Sequence, residues 1–263
     1  MKFSNNTFFF VLDVGNSDIV ISLIKNFKIY KIKRLKTKNF RNNNKVLFKG
    51  FNEIKNILKN QKEIDCLISS VVNEINKPLK YYCSLILKKI PKFVIFNKVK
   101  LNIKINVKNK SQVGADRLVN TVAIKSLYKT PALVIDFGTT TTFDIIDTNG
   151  NYQGGIISPG INLSLYNLFK KTSKLPLVKI KKNNNVIGKN TNEAIQNGLY
   201  WGYVGLVTFL IKKIQKKFKK KLYFVSKGGL SKMISKDIKQ IDLVNENLTV
   251  YGLIEIVRLN CNE

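Results

Sequence analysis

Two short stretches of this sequence place an aspartate, a glycine and small polar side chains directly after an apolar run. The first reads VLDVGNSDIV, residues 11–20, and the second reads VIDFGTTTTF, residues 134–143. In each stretch the aspartate, Asp13 or Asp136, stands two residues before the glycine. A glycine lets phosphate oxygens approach main-chain N–H groups closely, and neighbouring hydroxyl or amide groups add further donors. The two stretches therefore predict turns that bind the phosphates of a nucleotide.

The two aspartates add a second kind of chemistry to this predicted site. Carboxylate oxygens are hard ligands, so Asp13 and Asp136 suit Mg²⁺, bound through water, or another cation. The sequence contains neither GxxxxGKS nor GxxxxGKT, which excludes a Walker phosphate loop. One Asp-Gly turn alone would be explained as an ordinary hairpin. Two copies with matched flanks favour a phosphate clamp of another kind.

Histidine is absent from the sequence, which contains 16 acidic residues. This excludes a Ser-His-Asp triad, a Cys-His pair and a histidine-ligated zinc site. A general base must then be a carboxylate or, less commonly, a lysine or tyrosine. The cysteines have no metal-like spacing, and we expect Cys66 and Cys83 to be core residues in a reducing compartment. No apolar run reaches the roughly 18 residues needed to cross a membrane, so we expect a cytoplasmic protein.

The net charge of +30 has two interpretations. A strongly basic surface attracts nucleic acid, and the lysine run KKIQKKFKKKLYF, residues 212–224, is the segment that best supports this view. The alternative is compositional, because lysine, asparagine, isoleucine and phenylalanine are the residues that A/T-rich codons encode. Lysines at the end of a helix also complement its dipole. Nucleic acid is therefore not the partner that we expect.

The surrounding pattern predicts the elements that position both aspartates. Each aspartate ends a buried strand that turns into a second strand, and helices follow. Strands are predicted at 7–15, 19–24, 27–35, 64–72, 92–96, 131–147 (with the turn at its centre) and 151–160; helices are predicted at 50–60, 78–89, 117–127, 162–170 and 191–218. A strand and short helix at 223–234 and a strand and helix at 241–259 complete the pattern. The repeated order indicates an internal duplication into two α/β halves around a cleft.

The whole chain resembles the type III pantothenate kinases, within the superfamily of actin, sugar kinases and heat-shock chaperones. The matching segments are DVGNS at 13–17, VGADR at 113–117, DFGTTTTFD at 136–144, GGIISPGI at 154–161, TSKLP at 172–176, GKNTNEAIQNG at 188–198 and GGL at 228–230. The resemblance implies an α/β fold of two duplicated ribonuclease-H-like domains, residues 1–115 and 116–263, with a nucleotide cleft between them.

The same resemblance implies the reaction and its participants. The reaction is the ATP-dependent phosphorylation of pantothenate to 4'-phosphopantothenate, the first step of coenzyme A biosynthesis. It uses ATP with Mg²⁺ and a monovalent cation, K⁺ or NH₄⁺, in a homodimer. The resemblance implies that Asp116 takes the proton of the pantothenate hydroxyl or aligns that hydroxyl. From the residues alone, an aspartate in the first turn of an apolar-striped helix is an ordinary dipole partner.

Further roles follow from the resemblance residue by residue. Asp136 ligates the monovalent cation, and Asp13 holds Mg²⁺ through water. The residues implied to contact ATP are Asp13, Val14, Gly15, Asn16, Ser17, Asp18, Ile19, Val20 and Thr139. The residues implied to line the pantothenate site are Val107, Gly114, Ala115, Asp116, Arg117 and Thr191, the last from the partner subunit.

Four positions depart from the family pattern, and one of them, Ser17, replaces a threonine and keeps its hydroxyl. Val107 stands where the family usually has a tyrosine that contacts pantothenate. Losing that hydroxyl removes a hydrogen bond worth about 0.5–1.5 kcal/mol, so we expect weaker pantothenate binding. Lys110 replaces a common proline, and Lys227 replaces the threonine of the Thr-Gly-Gly adenosine loop.

Two rival functions stay open from the sequence. The first is a kinase or phosphatase of the same superfamily with another small hydroxyl substrate. The second is a basic nucleic-acid-binding or regulatory protein on a degenerate kinase scaffold. Separately, Gly198, Gly202 and Gly205 within one apolar helix predict close helix packing, in the core or at a dimer interface. Thr191, just before that apolar stretch, is also a candidate helix N-cap.

Overall fold

The computed structural model describes residues 8–43, 45–55 and 63–261. Packing divides the chain into two compact units. The first comprises Met1–Tyr128, Gly150–Tyr152 and Asn247–Glu263, and the second comprises Lys129–Asn149 and Gln153–Glu246. The division into two ribonuclease-H-like domains, residues 1–115 and 116–263, stays a prediction; the compact units place residues 116–128 and 247–263 with the first half of the chain.

The first unit is built on a five-stranded sheet of order β3-β2-β1-β4-β5. Its strands are β1 (Phe8–Val14), β2 (Asp18–Lys25), β3 (Lys28–Lys36), β4 (Cys66–Ser70) and β5 (Lys92–Phe93). Its helices are α1 (Thr37–Asn42), α2 (Lys45–Lys55), α3 (Asn73–Leu87), α4 (Ala115–Leu127) and the final helix α8 (Leu248–Cys261). The apolar run of β1 is buried on both faces: Phe10 and Leu12 enter one core, and Phe9 and Val11 enter another.

The second unit repeats this plan with a sheet of order β10-β9-β6-β7-β8. Its strands are β6 (Ala132–Phe137), β7 (Thr140–Ile146), β8 (Tyr152–Pro159), β9 (Tyr223–Lys227) and β10 (Leu243–Val244). Its helices are α5 (Ile161–Lys171), α6 (Thr191–Gln215) and α7 (Ser231–Ile234). Leu133, Ile135 and Phe137 of β6 pack with α6 in a third core.

The central strand of each sheet carries one of the two aspartates. In both sheets it pairs antiparallel with the next strand along the chain, and parallel with the fourth strand of the unit. Strands β1 to β5 therefore correspond in order to β6 to β10. This correspondence confirms the predicted duplicated α/β fold.

Several predicted boundaries were wrong. Helix α3 begins at Asn73 and not at Pro78, because the proline is tolerated inside the helix and does not start it. The predicted helix 50–60 begins earlier, at Lys45, and its residues 56–60 lie outside the described ranges. The strand predicted at 92–96 spans only Lys92–Phe93, and α6 ends at Gln215.

The cysteines behave as expected from their apolar surroundings. Cys66 on β4 and Cys83 on α3 are buried free thiols in the same core. Burial raises the pKa of the Cys66 thiol well above its ordinary value. Within the described ranges, no helix is long and apolar enough to cross a membrane.

Candidate functional site

The first aspartate turn joins β1 to β2. Asp13 is the second-last residue of β1, and its partners across the sheet are Val20 on β2 and Ser69 on β4. The Gly15 N–H donates to the carbonyl of Asp18 at 2.9 Å, which closes the turn. The turn is therefore compact and starts at the carboxylate.

Thr37, directly after β3, holds this turn from the other side. Its hydroxyl donates to the Gly15 carbonyl at 2.7 Å, and its N–H donates to the Ser17 carbonyl at 3.0 Å. Asn16 and Ser17 are exposed. A fixed main chain with exposed donors is what a loop that receives phosphate oxygens requires.

Ser69 lies beside Asp13 on the neighbouring strand. Residues in register on parallel strands point to the same face of a sheet, so the two side chains share a face. Ser69 is fully buried, and its hydroxyl has no hydrogen-bond partner within residues 8–43, 45–55 and 63–261. Mg²⁺ is commonly held by one or two carboxylates together with waters and substrate phosphates. The Asp13 carboxylate and the adjacent buried hydroxyl fit hydrated Mg²⁺.

Asp116 lies in the first turn of α4, after the N-cap Gly114. Its Oδ1 accepts the N–H of Arg117 at 2.8 Å. A Cβ at position 114 would lie 2.6 Å from this oxygen and 3.7 Å from Cγ1 of Val71. The Val71 N–H in turn donates to the carbonyl of Val14 at 3.1 Å. Asp116 is thus brought to the edge of the sheet where β1 ends.

Helix α4 packs on the sheet face that carries Asp13. Leu118 and Val122 of α4 share a core with Val11 of β1. Side chains alternate along a strand, so Asp13 points to the same side as Val11. The first unit therefore brings Asp13 and Asp116 to one side and one edge of its sheet.

Other residues of the predicted pantothenate site surround the start of α4. The Arg117 guanidinium carbon lies 5.6 Å from the centroid of the Tyr152 ring, a cation–π arrangement. Val107 and Ala115 are half-buried against the same core. The first unit thus gathers five of the predicted substrate residues: Val107, Gly114, Ala115, Asp116 and Arg117.

The second aspartate turn joins β6 to β7. The Gly138 N–H donates to the carbonyl of Thr140 at 3.1 Å, and the N–H of Gly160 donates to the carbonyl of Thr139 at 3.0 Å. A Cβ at Gly160 would lie 2.4 Å from the Thr139 oxygen, so only glycine permits this approach. Gly160 follows β8 as Thr37 follows β3, and each holds the turn of its own unit.

Lys227 balances the charge of Asp136 in this turn. The two residues are in register on the parallel strands β6 and β9. The Lys227 Nζ donates to Oδ2 of Asp136 at 3.0 Å, and the side chains are 9% and 15% exposed. Burial and the negative charge of Asp136 raise the pKa of the Tyr203 hydroxyl above its ordinary value, so that hydroxyl stays protonated. Asp136 is therefore part of a buried ion pair.

A monovalent cation at Asp136, which the resemblance implies, does not fit this arrangement. The Lys227 ammonium group already contacts the carboxylate. A second cation about 4 Å from that ammonium would be repelled by about 4 kcal/mol at an effective dielectric constant of 20. Over the described ranges, no group of three or more acidic or cysteine side chains could hold a metal ion.

The Gly-Gly turn after β9 contains two glycines with different roles. Gly228 has a φ of +94°, and a Cβ there would lie 2.5 Å from the Phe137 carbonyl oxygen and 2.8 Å from Oδ1 of Asp136. Glycine is required at this position by the turn itself. Gly229 has no neighbouring atom within 4 Å of its Cβ position among the described residues. The space beside Gly229 is therefore open, and a planar ligand could lie against the main chain there.

Thr191 is the first residue of α6 and not its N-cap. The N-cap is Asn190, whose side-chain oxygen accepts the N–H of Glu193 at 3.0 Å. The Glu193 carboxylate accepts the N–H of Lys189, the residue before the N-cap, at 2.8 Å, so the two side chains together satisfy two main-chain N–H groups at the start of α6. The N-cap prediction was wrong by one residue, because asparagine is an even better cap than threonine. Thr191 is exposed and free of that task.

Thr191 also begins an exposed stripe along α6, which we call the α6 stripe. Thr191 lines a groove of about 580 Å³ together with Leu168 and Leu175. No described atom lies within 4 Å of the Cβ positions of the three glycines in the stripe, so they do not pack in the core of this chain. The exposed residues of the α6 stripe are Thr191, Ala194, Gly198, Gly202, Gly205 and Phe209.

The lysine run at residues 212–224 covers the end of α6 and the loop to β9. Ile211, Ile214 and Leu222 anchor the segment in the core of the second unit. The lysines between them are exposed. This is the arrangement of a solvated helix end, and lysines there complement the helix dipole.

The sequence did not indicate the roles of three residues that lie beside the two turns: Thr37, Ser69 and Lys227. Thr37 and Ser69 carry no motif, and each meets its turn only through strand register. The family pattern places Lys227 in the adenosine loop and gives no sign of its pairing with Asp136. The signal that could have found it is the parallel pairing of the fourth strand with the first in each repeat.

Comparison with known proteins gives the family of this chain. The family model of the type III pantothenate kinases matches residues 9–213. The type III pantothenate kinase of Paramagnetospirillum magneticum (strain ATCC 700264 / AMB-1) is 45% identical over 194 residues, which cover 74% of this chain and 75% of that protein.

Solved structures share the fold at low sequence identity. A putative Baf family transcriptional activator from Campylobacter jejuni superposes with a TM-score of 0.59 at 17% identity, covering 95% of this chain and 98% of that one. A putative 2-dehydro-3-deoxygalactonokinase from Sinorhizobium meliloti superposes with a TM-score of 0.57 at 9% identity, covering 95% and 96%. These similarities show that the chain shares its fold with these two proteins.

Proposed function

Because this chain belongs to the type III pantothenate kinase family, we propose that Asp116 and the first aspartate turn carry out its reaction. That reaction is the ATP-dependent phosphorylation of pantothenate in coenzyme A biosynthesis. The observation that carries the assignment is the placement of Asp116 and Asp13 on one side and one edge of the same sheet. One carboxylate then serves the hydroxyl substrate and the other serves the nucleotide.

Asp116 acts on the hydroxyl that receives the phosphoryl group. A bond forms between the hydroxyl oxygen of pantothenate and the γ-phosphorus, and the bond from that phosphorus to the β-phosphate oxygen breaks. The hydroxyl proton passes to the Asp116 carboxylate, and ADP leaves with the electron pair. Phosphoryl transfer is largely dissociative, so alignment of the hydroxyl matters more than the strength of the base. Gly114 supports this task, because a Cβ there would collide with Oδ1 of Asp116.

The ATP phosphates are received by the first turn, residues 13–20; the assignment of Thr139 to ATP rests on the family resemblance alone. The exposed Asn16 and Ser17, held in place through Thr37, supply the donors. Asp13, with Ser69 beside it, would hold Mg²⁺, which neutralises charge on the phosphates. Gly229 offers an open surface for the adenine ring.

Pantothenate is bound around the start of α4. Its carboxylate suits the guanidinium of Arg117, which Tyr152 supports from one side. Val107 contributes an apolar wall. Since valine lacks a polar group, the affinity for pantothenate is lower than it would be with a tyrosine hydroxyl at this position, by about 0.5–1.5 kcal/mol.

A homodimer and a cytoplasmic location complete the proposal. The α6 stripe is exposed along its length, and its glycines let a second helix approach closely. Pairing of two copies there would let Thr191 contact pantothenate bound by the partner. ATP is supplied in the cytoplasm, and the buried thiols of Cys66 and Cys83 are compatible with a reducing compartment.

The dimer is tested by light scattering after size-exclusion chromatography. Gly202→Lys places a charge on the α6 stripe and is expected to give a monomer that keeps its melting temperature. Lys239→Glu, an exposed change outside the stripe, is the matched control and stays dimeric. A wild-type chain that is monomeric at all concentrations would remove the dimer from the proposal.

The catalytic assignment is tested by measuring the conversion of pantothenate and ATP to 4'-phosphopantothenate. Asp116→Asn is expected to lower kcat by about 10²–10⁴-fold, the range for a general base or acid, while ATP affinity changes little. The control is Glu53→Gln, which removes an exposed carboxylate of the same unit. Equal activity of Asp116→Asn and the wild type would refute the role of Asp116.

A further inference from the structure

We infer that the ammonium group of Lys227 permanently takes the place of a monovalent cation at Asp136, so that this kinase needs neither K⁺ nor NH₄⁺ for turnover. The inference rests on the proposed function for its kinetic consequence. Its structural part concerns one ion pair of the second unit and stands on the contacts of that unit alone.

Strand register creates the pair. Asp136 and Lys227 are direct neighbours on the parallel strands β6 and β9. Residues in register on parallel strands share a face, so the lysine side chain runs beside the carboxylate. The Nζ–Oδ2 distance is 3.0 Å. The Lys227 ammonium group is therefore covalently part of β9, and this positive charge does not have to bind from solution.

The rest of the carboxylate is also enclosed. A Cβ at Gly228 would lie 2.8 Å from Oδ1 of Asp136, and a Cβ at Gly138 would lie 3.7 Å from it. Two glycines thus lie close to one oxygen, while Lys227 contacts the other. The Lys227 side chain is 9% exposed, which leaves it little room to move aside for an ion from solution.

The charge balance is the same with a tethered ammonium as with a bound monovalent ion. Either one places a single positive charge against the Asp136 carboxylate at the second turn. The difference lies in exchange: a bound ion is lost when the solution lacks it, and Lys227 is not. The rate of this enzyme should then be independent of K⁺ at constant ionic strength.

The test compares the full-length wild type with Lys227→Thr in potassium chloride and in choline chloride at equal ionic strength, with Mg²⁺ present. Choline is too large to replace K⁺ at a carboxylate. Lys232→Thr is the matched control, because it removes another lysine paired with a carboxylate in the same unit, Glu246. Phosphorylation of pantothenate and the melting temperature are measured for each protein in each salt.

The wild type and Lys232→Thr are expected to differ between the two salts by less than about twofold in rate. Lys227→Thr is expected to be slower in choline by about tenfold or more and to recover in potassium. Its melting temperature should rise in potassium, while that of the wild type should not, because only the variant has an unbalanced carboxylate to receive the ion.

Two results would overturn the inference. One is a wild-type rate or melting temperature that rises specifically with potassium. The other is a folded Lys227→Thr variant without any gain from potassium. If no protein phosphorylates pantothenate in either salt, the proposed function fails, and the melting temperatures still decide the cation question. The wild-type comparison needs no substitution, so a variant that fails to fold leaves the inference testable.

Discussion

The two aspartate turns share a backbone frame and differ in the residue beside the carboxylate. Asp13 and Asp136 each stand near the end of a central strand, and a residue just after the third strand of the unit holds each turn. On the parallel neighbouring strand, Asp13 meets Ser69 and Asp136 meets Lys227. One neighbour is a small neutral hydroxyl, and the other is a buried ammonium group.

This difference shows how a duplicated fold can divide two tasks. The strand neighbours of Asp13 in register, Val20 and Ser69, carry no charge, and a carboxylate with an adjacent hydroxyl suits hydrated Mg²⁺ and the phosphates it accompanies. A carboxylate paired with a buried lysine has its charge satisfied within the protein. The first turn is thus suited to bind a cation with ATP, and the second is suited to a structural charge balance.

The largest expected effect comes from exchanging the two aspartates for asparagine one at a time. Asp136→Asn leaves the Lys227 ammonium buried without its carboxylate, so the free energy of unfolding should fall by about 3–5 kcal/mol. Asp13 has Ser69 and not a buried ammonium group beside it in register, so Asp13→Asn should lower the free energy of unfolding by less than Asp136→Asn does. The kcat/KM of Asp13→Asn should instead fall by about 100-fold or more, because hydrated Mg²⁺ loses the carboxylate that holds it through water. Urea denaturation and the kinase assay measure the two effects.

A double variant sharpens this contrast. Asp136→Leu combined with Lys227→Met replaces the ion pair by apolar side chains and should recover most of the stability lost in Asp136→Asn. Equal losses of stability in Asp13→Asn and Asp136→Asn would mean that the neighbouring residue does not set the difference between the turns.

Sequence reasoning found the two turns because their residues are local. An aspartate, a glycine and a hydroxyl within five positions form a pattern that can be read in one window, as in DVGNS and DFGTT. The continuous apolar runs before the turns also indicated the buried strands β1 and β6. Helix α3 was predicted too short because Pro78 was read as a start, although packing of Ile75 and Leu79 extends the helix to both sides of it.

The pairing of Asp136 with Lys227 could not be predicted in the same way. It depends on which residue of β9 stands opposite the end of β6, and α5 and α6 separate those strands along the chain. Register across a parallel pair is fixed by the packing of the whole sheet, and a shift of one residue would reverse the side chains. The placement of Ser69 beside Asp13 could not be predicted either, because it depends on the register of β1 with β4 in the same way.

The next effect tests the Gly-Gly turn next to the buried pair. Gly228→Ala should lower the free energy of unfolding by about 1–3 kcal/mol, because alanine is strained at a positive φ and its Cβ would collide with the Phe137 carbonyl. Gly229→Ala is the matched control, since its Cβ enters open space among the described residues, and its stability should be unchanged. If Gly229→Ala weakens ATP binding while keeping its stability, the adenine surface is placed there as well. Equal stability of both variants would contradict the strained turn.

The smallest effect separates burial from pairing. The first turn has its own lysine–carboxylate pair, Lys36 with Asp18, at 2.8 Å, but the lysine side chain is 69% exposed. Solvent screens such a pair, so Lys36→Met should change the free energy of unfolding by about 0.5 kcal/mol or less. Lys227→Met, at a similar distance but with 9% exposure, should lower it several-fold more. Urea denaturation of both variants at low and high salt makes the measurement. An equal loss of unfolding free energy in Lys36→Met and Lys227→Met would show that distance alone sets the strength of these pairs. The burial of Lys227 would then add nothing to the stability of its pair.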